Sequence, residues 1–167
     1  MNTDQYQNSN QSTPTDKNIH AVEVRPVEYR DIDIWHSLWK GYQRFYQVII
    51  PKSVTLQTWA RFLDPVEPMH AALAVSQGEA LGLVHSIYHR STWTTSDYCY
   101  LQDLYVADEA RGAGVGRALI EHVYADARRR GASRVYWTTH ESNHAAMQLY
   151  DRIADRPGFI QYRKLFG

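Results

Sequence analysis

The chain has 167 residues, with 18 Lys and Arg balanced by 18 Asp and Glu and a single cysteine. That length suits one domain with a real core, and zero net charge leaves no global field to steer nucleic acid or a membrane surface. Lone Cys99 excludes a disulfide framework and points to a reducing, cytoplasmic setting; no apolar run approaches the ~20 residues of a membrane span, and the N-terminus lacks the apolar core of a signal peptide.

Residues 1–20 are rich in Asn, Gln, Ser and Thr and read as a disordered tail, which leaves residues 21–167 as a single domain. Ala21–Val27 alternates and predicts a strand. Glu28–Tyr46 predicts a helix, with Ile32, Trp35, Leu38, Trp39 and Tyr42 at i, i+3, i+4 spacing. After Pro51, Leu56–Leu63 predicts a short second helix. Ala71–Val75 and Leu81–His89 flank Gln77-Gly78-Glu79, a hairpin signal. A polar loop, Ser91–Asp97, precedes an apolar-alternating strand, Cys99–Val106. A glycine-rich run, Arg111–Arg117, opens an amphipathic helix, Val115–Arg130, whose three closing arginines before Gly131 complement the helix dipole and its C-cap. Arg134–Thr139 predicts a strand, Asn143–Ile153 a helix and Phe159–Leu165 a last strand. The order is βααββ followed by β-α-β-α-β, an α/β mixed sheet with helices on both faces.

Arg111-Gly112-Ala113-Gly114-Val115-Gly116-Arg117 is the most informative segment. A glycine-rich turn between strand and helix gathers backbone N–H groups at a helix N-terminus, where an anion is favoured. The plain alternative is a tight turn that needs small residues and binds nothing. Arg117-Ala118 stands where a P-loop needs Lys-Ser/Thr, so no hydroxyl is supplied for magnesium. The Gly-x-Gly-x-Gly spacing also departs from the dinucleotide fingerprint, and it falls late in the chain.

Arg-x-x-Gly-x-Gly after a strand resembles the acyl-CoA pyrophosphate loop of the GNAT superfamily of N-acetyltransferases. The resemblance extends to Asn143, to Ala146-Met147-Gln148-Leu149-Tyr150 and to Gly158-Phe159 in that order, and runs from about Ala21 to the C-terminus. Tyr100–Val106 looks like the strand before the loop in the polyamine and histone acetyltransferase branch. The resemblance implies a mostly antiparallel central sheet with a splayed central strand pair, and acetyl-CoA as cosubstrate with no metal. It also implies cofactor contacts from Leu104, Tyr105 and Val106, from the loop residues Arg111, Gly112, Ala113, Gly114, Val115, Gly116 and Arg117, and from Asn143 and Tyr150. A homodimer is expected on the same ground.

Acetyl transfer to an amine needs a proton removed and a proton supplied. With a pKa of ~10.4, only about one primary amine in two thousand is neutral at pH 7, roughly 4.5 kcal/mol of barrier. The departing thiolate needs a proton, which a tyrosine can donate at neutral pH. By resemblance, Tyr150 stands at the general acid position; the bland alternative is a core aromatic. The branch's glutamate is replaced by Gln102, which cannot accept a proton. Asp103, Glu141, His140 and His85 remain as base candidates, with Asp103 and Glu141 grouped with Tyr150 as catalytic. Tyr42, Tyr46, His85, Gln102, Asp103 and His140 are candidate acceptor contacts. Tyr42 and Tyr46, one helical turn apart, can point together and offer cation–π faces to an ammonium, as can Phe45, Trp93, Tyr98 and Tyr100.

His140-Glu141-Ser142-Asn143-His144 matches the zincin motif. That motif needs both histidines on one helix face and a third ligand, whereas His140 ends a β-rich run and Asn143 suits an N-cap. The leading expectation is an acetyl-CoA-dependent N-acetyltransferase acting on a cationic primary amine such as a polyamine, a protein lysine or an aminoglycoside. The alternative from another class is a non-catalytic acyl-CoA sensor on the same fold.

Overall fold

The computed structural model describes residues 21–166, so the expected N-terminal tail lies outside it. A five-stranded sheet in the order β1-β2-β3-β4-β5 carries the fold. The strands are β1 (Glu23–Pro26), β2 (Met69–Ser76), β3 (Glu79–His89), β4 (Tyr98–Val106) and β5 (Arg134–Tyr136). The first four pair antiparallel, and β5 joins β4 in parallel. Helices α1 (Ile32–Phe45) and α2 (Lys52–Leu63) lie between β1 and β2, α3 (Val115–Arg129) between β4 and β5, and α4 (His144–Ile153) after β5.

Local chemistry explains the turns. Ser76 pairs with Glu79, so the β2–β3 connection has Gln77 and Gly78 at its centre. Both take positive φ, 51° and 82°, which matches the twist of a two-residue hairpin. Between β1 and α1, Arg25 grips both carboxylate oxygens of Asp31 at 2.7 and 2.8 Å, and Asp31 also accepts from the Glu28 N–H at 2.7 Å. The Arg25 hydrogen bonds, against the cost of burial, hold the Asp31 carboxyl below its ordinary range.

Strand alternation sorts the core into two layers. Ala72, Ala74 and Val84 face Leu119, Ile120 and Val123 of α3, while Leu73 and Leu83 face Trp35, Trp39, Trp59 and Phe62 of α1 and α2. Full burial of a side chain such as Leu119 or Ile120 contributes about 1.5–3 kcal/mol.

Two irregularities in β4 prepare the site. His85 pairs with Asp103 and Ser86 with Leu101, so Gln102 has no partner and forms a bulge. The extra residue shifts the alternation. Leu101 and Leu104 both reach the α3 layer, while Tyr105 packs on the α1 side. Pairing of β4 with β5 then stops at Tyr100 and Tyr136. Beyond it, Leu101–Val106 has no strand on that side among the described residues, and the central pair splays apart as expected.

Several expectations need correction. The first helix begins as a 3-10 turn, Tyr29–Asp31, and α2 starts earlier, at Lys52. The fifth strand is only Arg134–Tyr136. The last strand, expected over Phe159–Leu165, is not formed: the segment joins no strand ladder, with Phe159, Ile160 and Tyr162 at 78, 75 and 88% exposure. Alternation makes a segment competent for pairing, but a strand exists only where a ladder partner lies alongside.

Candidate active site

A cleft of about 550 Å³ opens where β4 and β5 separate. Its floor is Leu104-Tyr105-Val106, one end is the glycine loop with the start of α3, and its far wall is α4 with Leu149 and Tyr150. The end of α1 contributes Phe45 and Tyr46.

The glycine loop is built to receive an anion. Gly112 and Gly114 both have φ of 82°, so each turns the chain through the left-handed region. A Cβ on either would meet no atom within 4 Å, so neither glycine is required by packing against the protein. Gly114 is the N-cap of α3 and has no side-chain cap bond, while its carbonyl accepts from the Ala118 N–H at 3.0 Å. The first-turn N–H groups of α3 therefore face the cleft without intrahelical partners. Arg111 and Arg117 line the same end; Arg111 pairs with Asp108 at 2.6 Å and lies 5.3 Å from the Phe45 ring centroid. Open space, free N–H groups and two guanidiniums fit a pyrophosphate, and Leu104–Val106, unpaired with β5 and with its Val106 carbonyl accepting from Arg111 Nε at 3.4 Å, fits an amide-bearing arm.

Tyr150 is held at the α4 wall. Its ring meets Trp137 edge-on at 5.3 Å, and α4 is tied to α3 by the Tyr124 hydroxyl donating to the Ile153 carbonyl at 3.0 Å. Burial, with a smaller influence from Tyr46, pushes the Tyr150 hydroxyl up to about 12, so it carries its proton throughout the neutral range.

A second polar group, Trp35, Tyr42, His85 and Asp103, lies outside the cleft lining. The Trp35 indole N–H donates to His85 Nε2 at 2.9 Å, and His85 Nδ1 lies 2.9 Å from Asp103 Oδ2. Because Nε2 accepts, the neutral ring carries its hydrogen on Nδ1 and donates it to Asp103. Burial, followed by the Asp103 carboxylate, raises the Tyr42 hydroxyl far above the ordinary tyrosine range. Tyr42 and Tyr46 do point together, with ring centroids 4.7 Å apart. Burial and Asp103 also raise Tyr46. Tyr46, which lines the cleft, is influenced by Asp103 and itself influences Tyr150.

The model of the acetyltransferase (GNAT) family matches residues 33–154. The chain belongs to the GNAT acetyltransferase family. As a GNAT protein it is an acetyl-CoA-dependent N-acetyltransferase. It is 39% identical over 145 residues to the D-amino-acid N-acetyltransferase HPA3 of Saccharomyces cerevisiae, covering 86% of this chain and 90% of that one. It is 29% identical over 140 residues to the thialysine N-epsilon-acetyltransferase of Caenorhabditis elegans, covering 82% of each. Among solved structures, a probable acetyltransferase superposes with a TM-score of 0.77 at 23% identity, covering 87% of this chain and 98% of that one. The aminoglycoside acetyltransferase AAC(6')-Iy, in complex with a CoA bisubstrate analogue, does so at 0.75 and 18%, covering 88% and 100%. These last two likenesses concern the GNAT fold.

Of the residues singled out by sequence, Leu104, Tyr105, Val106, Arg111, Gly112, Gly114, Val115, Gly116, Arg117, Asn143 and Tyr150 all line the cleft, whereas Ala113, within the loop, does not. His85 is mid-strand and 2% exposed, not at a strand end. Gln102 is exposed on its bulge. His140 and Glu141 are exposed in the turn before α4, away from the cleft lining, with His140 Nδ1 2.7 Å from the Ser142 hydroxyl. That turn also separates His140 from the helix that begins at His144, so the two histidines do not share a helix face. Trp35 was not singled out for the site, although a tryptophan on a buried helix face must find an acceptor for its N–H. Leu149 lines the cleft through the apolar stripe of α4, which the i, i+3, i+4, i+7 spacing of Ala146, Leu149, Tyr150 and Ile153 already suggests.

Proposed function

We propose that this GNAT enzyme acetylates the primary amine of a small amino-acid-like molecule, with Tyr150 as general acid and Asp103 as proton acceptor. The observation that supports this reading is that Tyr46, which lines the cleft together with Tyr150 and influences it, also feels the Asp103 carboxylate. The acceptor class is supported by the names of the two relatives, a D-amino-acid and a thialysine acetyltransferase.

Bound acetyl-CoA supplies the acetyl group as a thioester. The chain's own residues do the rest. The first turn of α3, Arg111 and Arg117 hold the pyrophosphate, and the backbone of Leu104–Val106 beyond the β5 pairing orients the arm that leads to the thioester. Asp103 and the faces of Tyr42 and Tyr46 draw the ammonium in. Asp103 takes a proton from it, directly or through one water, so that the amine can attack the acetyl carbon. His85, donating to Asp103 from Nδ1, leaves the carboxylate's remaining lone pairs for that task. The Tyr150 hydroxyl protonates the sulfur as the carbon–sulfur bond breaks, and the second proton lost from the amine nitrogen returns to the Tyr150 oxygen as the amide forms.

An acceptor panel tests the proposal. Initial rates of free-thiol release are measured with D-amino acids, L-amino acids, thialysine, polyamines, a lysine peptide and an aminoglycoside. The highest kcat/KM should fall among the amino-acid amines. A polyamine, peptide or aminoglycoside preferred by tenfold or more would overturn the acceptor class. Tight acetyl-CoA binding with no thiol release from any amine would mark a sensor instead.

A further inference from the structure

The sheet face that carries His85 and Asp103 continues toward the end of β3 as an aromatic shelf. His85, Ile87 and His89 alternate onto that face, and their partners on β4 are Asp103, Tyr100 and Tyr98. Tyr136 of β5 stacks on Tyr100 with ring centroids 5.0 Å apart, and its hydroxyl lies 2.8 Å from His89 Nε2. Tyr100 also influences the Tyr42 hydroxyl, which joins the shelf to the Asp103 group. Exposed Arg134 lies at the far end, in register with Tyr98. Its guanidinium carbon sits 3.7 Å from the Tyr98 ring centroid, and 5.8 and 6.0 Å from those of Tyr136 and Trp93. Its contacts are thus with rings, and among the described residues it pairs with no carboxylate. Stacking uses the flat face of a guanidinium and leaves its in-plane N–H fork for a bidentate acceptor.

We propose that Arg134 binds the carboxylate of the acceptor, and that its distance from Asp103 selects the side-chain amine of a diamino acid over an α-amine. The inference rests on the reading of Asp103 as the group that receives the ammonium. The strands supply the ruler. His85 and His89, the partners of Asp103 and Tyr98, are four residues apart on β3, about 13 Å along the strand. An ammonium about 3 Å from the Asp103 carboxylate and a carboxylate about 4 Å from the guanidinium carbon leave roughly 6 Å between the two charges of the ligand. In an α-amino acid the nitrogen and the carboxyl carbon are two bonds apart, about 2.5 Å. In lysine the ε-nitrogen is six bonds from that carbon, and the extended chain spans about 7 Å. A diamino acid of that length bridges the two groups, and an α-amine with its own carboxylate does not. Along the way, Tyr100 and Tyr136 offer ring faces to the methylene chain.

The test measures acetylation of free lysine and of lysine amide by wild type, Arg134→Gln and Arg134→Lys, with the position of the acetyl group read by NMR. Wild type should acetylate Nε rather than Nα. Its kcat/KM at Nε should favour lysine over lysine amide by about tenfold or more, chiefly through KM, as loss of a charged hydrogen-bonding partner implies. Arg134→Gln should bring that preference to within about threefold of unity, and Arg134→Lys, which keeps the charge, should retain part of it. Far-UV spectra and Tm of the variants check that the fold is kept. A loss by the same factor on both substrates in Arg134→Gln would make Arg134 a packing residue and overturn the proposal. A wild type indifferent to the amide, or one that acetylates Nα, would overturn it too. In each of these cases amino-acid amines can still lead the acceptor panel. A panel led by a polyamine, peptide or aminoglycoside would overturn both readings, so the two failures are distinguishable.

Discussion

Trp35 and His85 form a buried hydrogen bond, indole N–H to Nε2 at 2.9 Å, and this bond decides which imidazole nitrogen faces Asp103. His85 is 2% exposed and sits among Trp39, Phe62 and Trp35, so no solvent competes for its nitrogens. Nitrogen-15 spectra of wild type should show the Nδ1–H tautomer. Trp35→Phe removes the donor, so the Nε2–H tautomer should gain population and kcat should fall while acetyl-CoA affinity holds. A wild-type spectrum already showing Nε2–H would refute this assignment.

Asp103 accepts from His85 Nδ1 at 2.9 Å, and its charge raises the Tyr42 hydroxyl. Asp103→Asn keeps the shape and removes the proton acceptor. General acid–base roles contribute about 10²–10⁴-fold, so kcat/KM for the amine should fall by that range. A loss below threefold would assign Asp103 a purely structural part.

Tyr150→Phe retains the ring that meets Trp137 and deletes only the hydroxyl. We expect kcat to drop by about 10²–10⁴-fold with little change in acetyl-CoA affinity. A raised KM for acetyl-CoA with kcat preserved would mean that the hydroxyl binds the cosubstrate, and an unchanged enzyme would make it a packing residue.

Gly114→Val forces a β-branched residue into φ of 82° and places its side chain where the anion sits. Acetyl-CoA affinity should weaken tenfold or more, about 1.4 kcal/mol. Gly116 makes a useful contrast, because a Cβ there would meet Leu149 and Val106 at ordinary distances of 3.6 and 3.7 Å. Gly116→Ala should fold normally and bind within a few-fold of wild type. Equal affinities for Gly114→Val and wild type by calorimetry would remove the loop from the binding site.

Stability should fall on acidification in two steps. Burial lowers His70 and His122, so each favours the fold when neutral; that contribution is complete above ~6.5 and lost as pH falls below it. Asp31 is lowered by its bonds to Arg25, and Asp126 by bonds from Tyr88 and Arg130 that outweigh its burial. Their contribution is present above ~3.9 and lost as pH falls through their lowered values. Tm measured from pH 7 to 3 should decline in both windows, and a paired His70→Gln/His122→Gln variant should flatten the first. A Tm that rises between pH 6.5 and 5 would contradict the sign.

Element types along the chain were legible because they rest on local physics. The spacing of Trp35, Leu38 and Trp39, the Gln77-Gly78 turn, and the arginines before Gly131 each specify a conformation within a few residues. The glycine loop was legible for the same reason, since its left-handed positions and free N–H groups depend on a single segment. What depends on pairing across the chain was not. The Gln102 bulge exists only in the register of β4 against β3, and it turns Asp103 toward His85. Glu141 and His140 look as suitable as Asp103 in sequence, but a turn leaves them in solvent. Trp35 gains its role from a residue fifty positions away. Phe159–Leu165 has the alternation of a strand and forms none, because alternation determines which faces a segment can bury, while only a neighbouring edge supplies the hydrogen-bond partners that make it a strand.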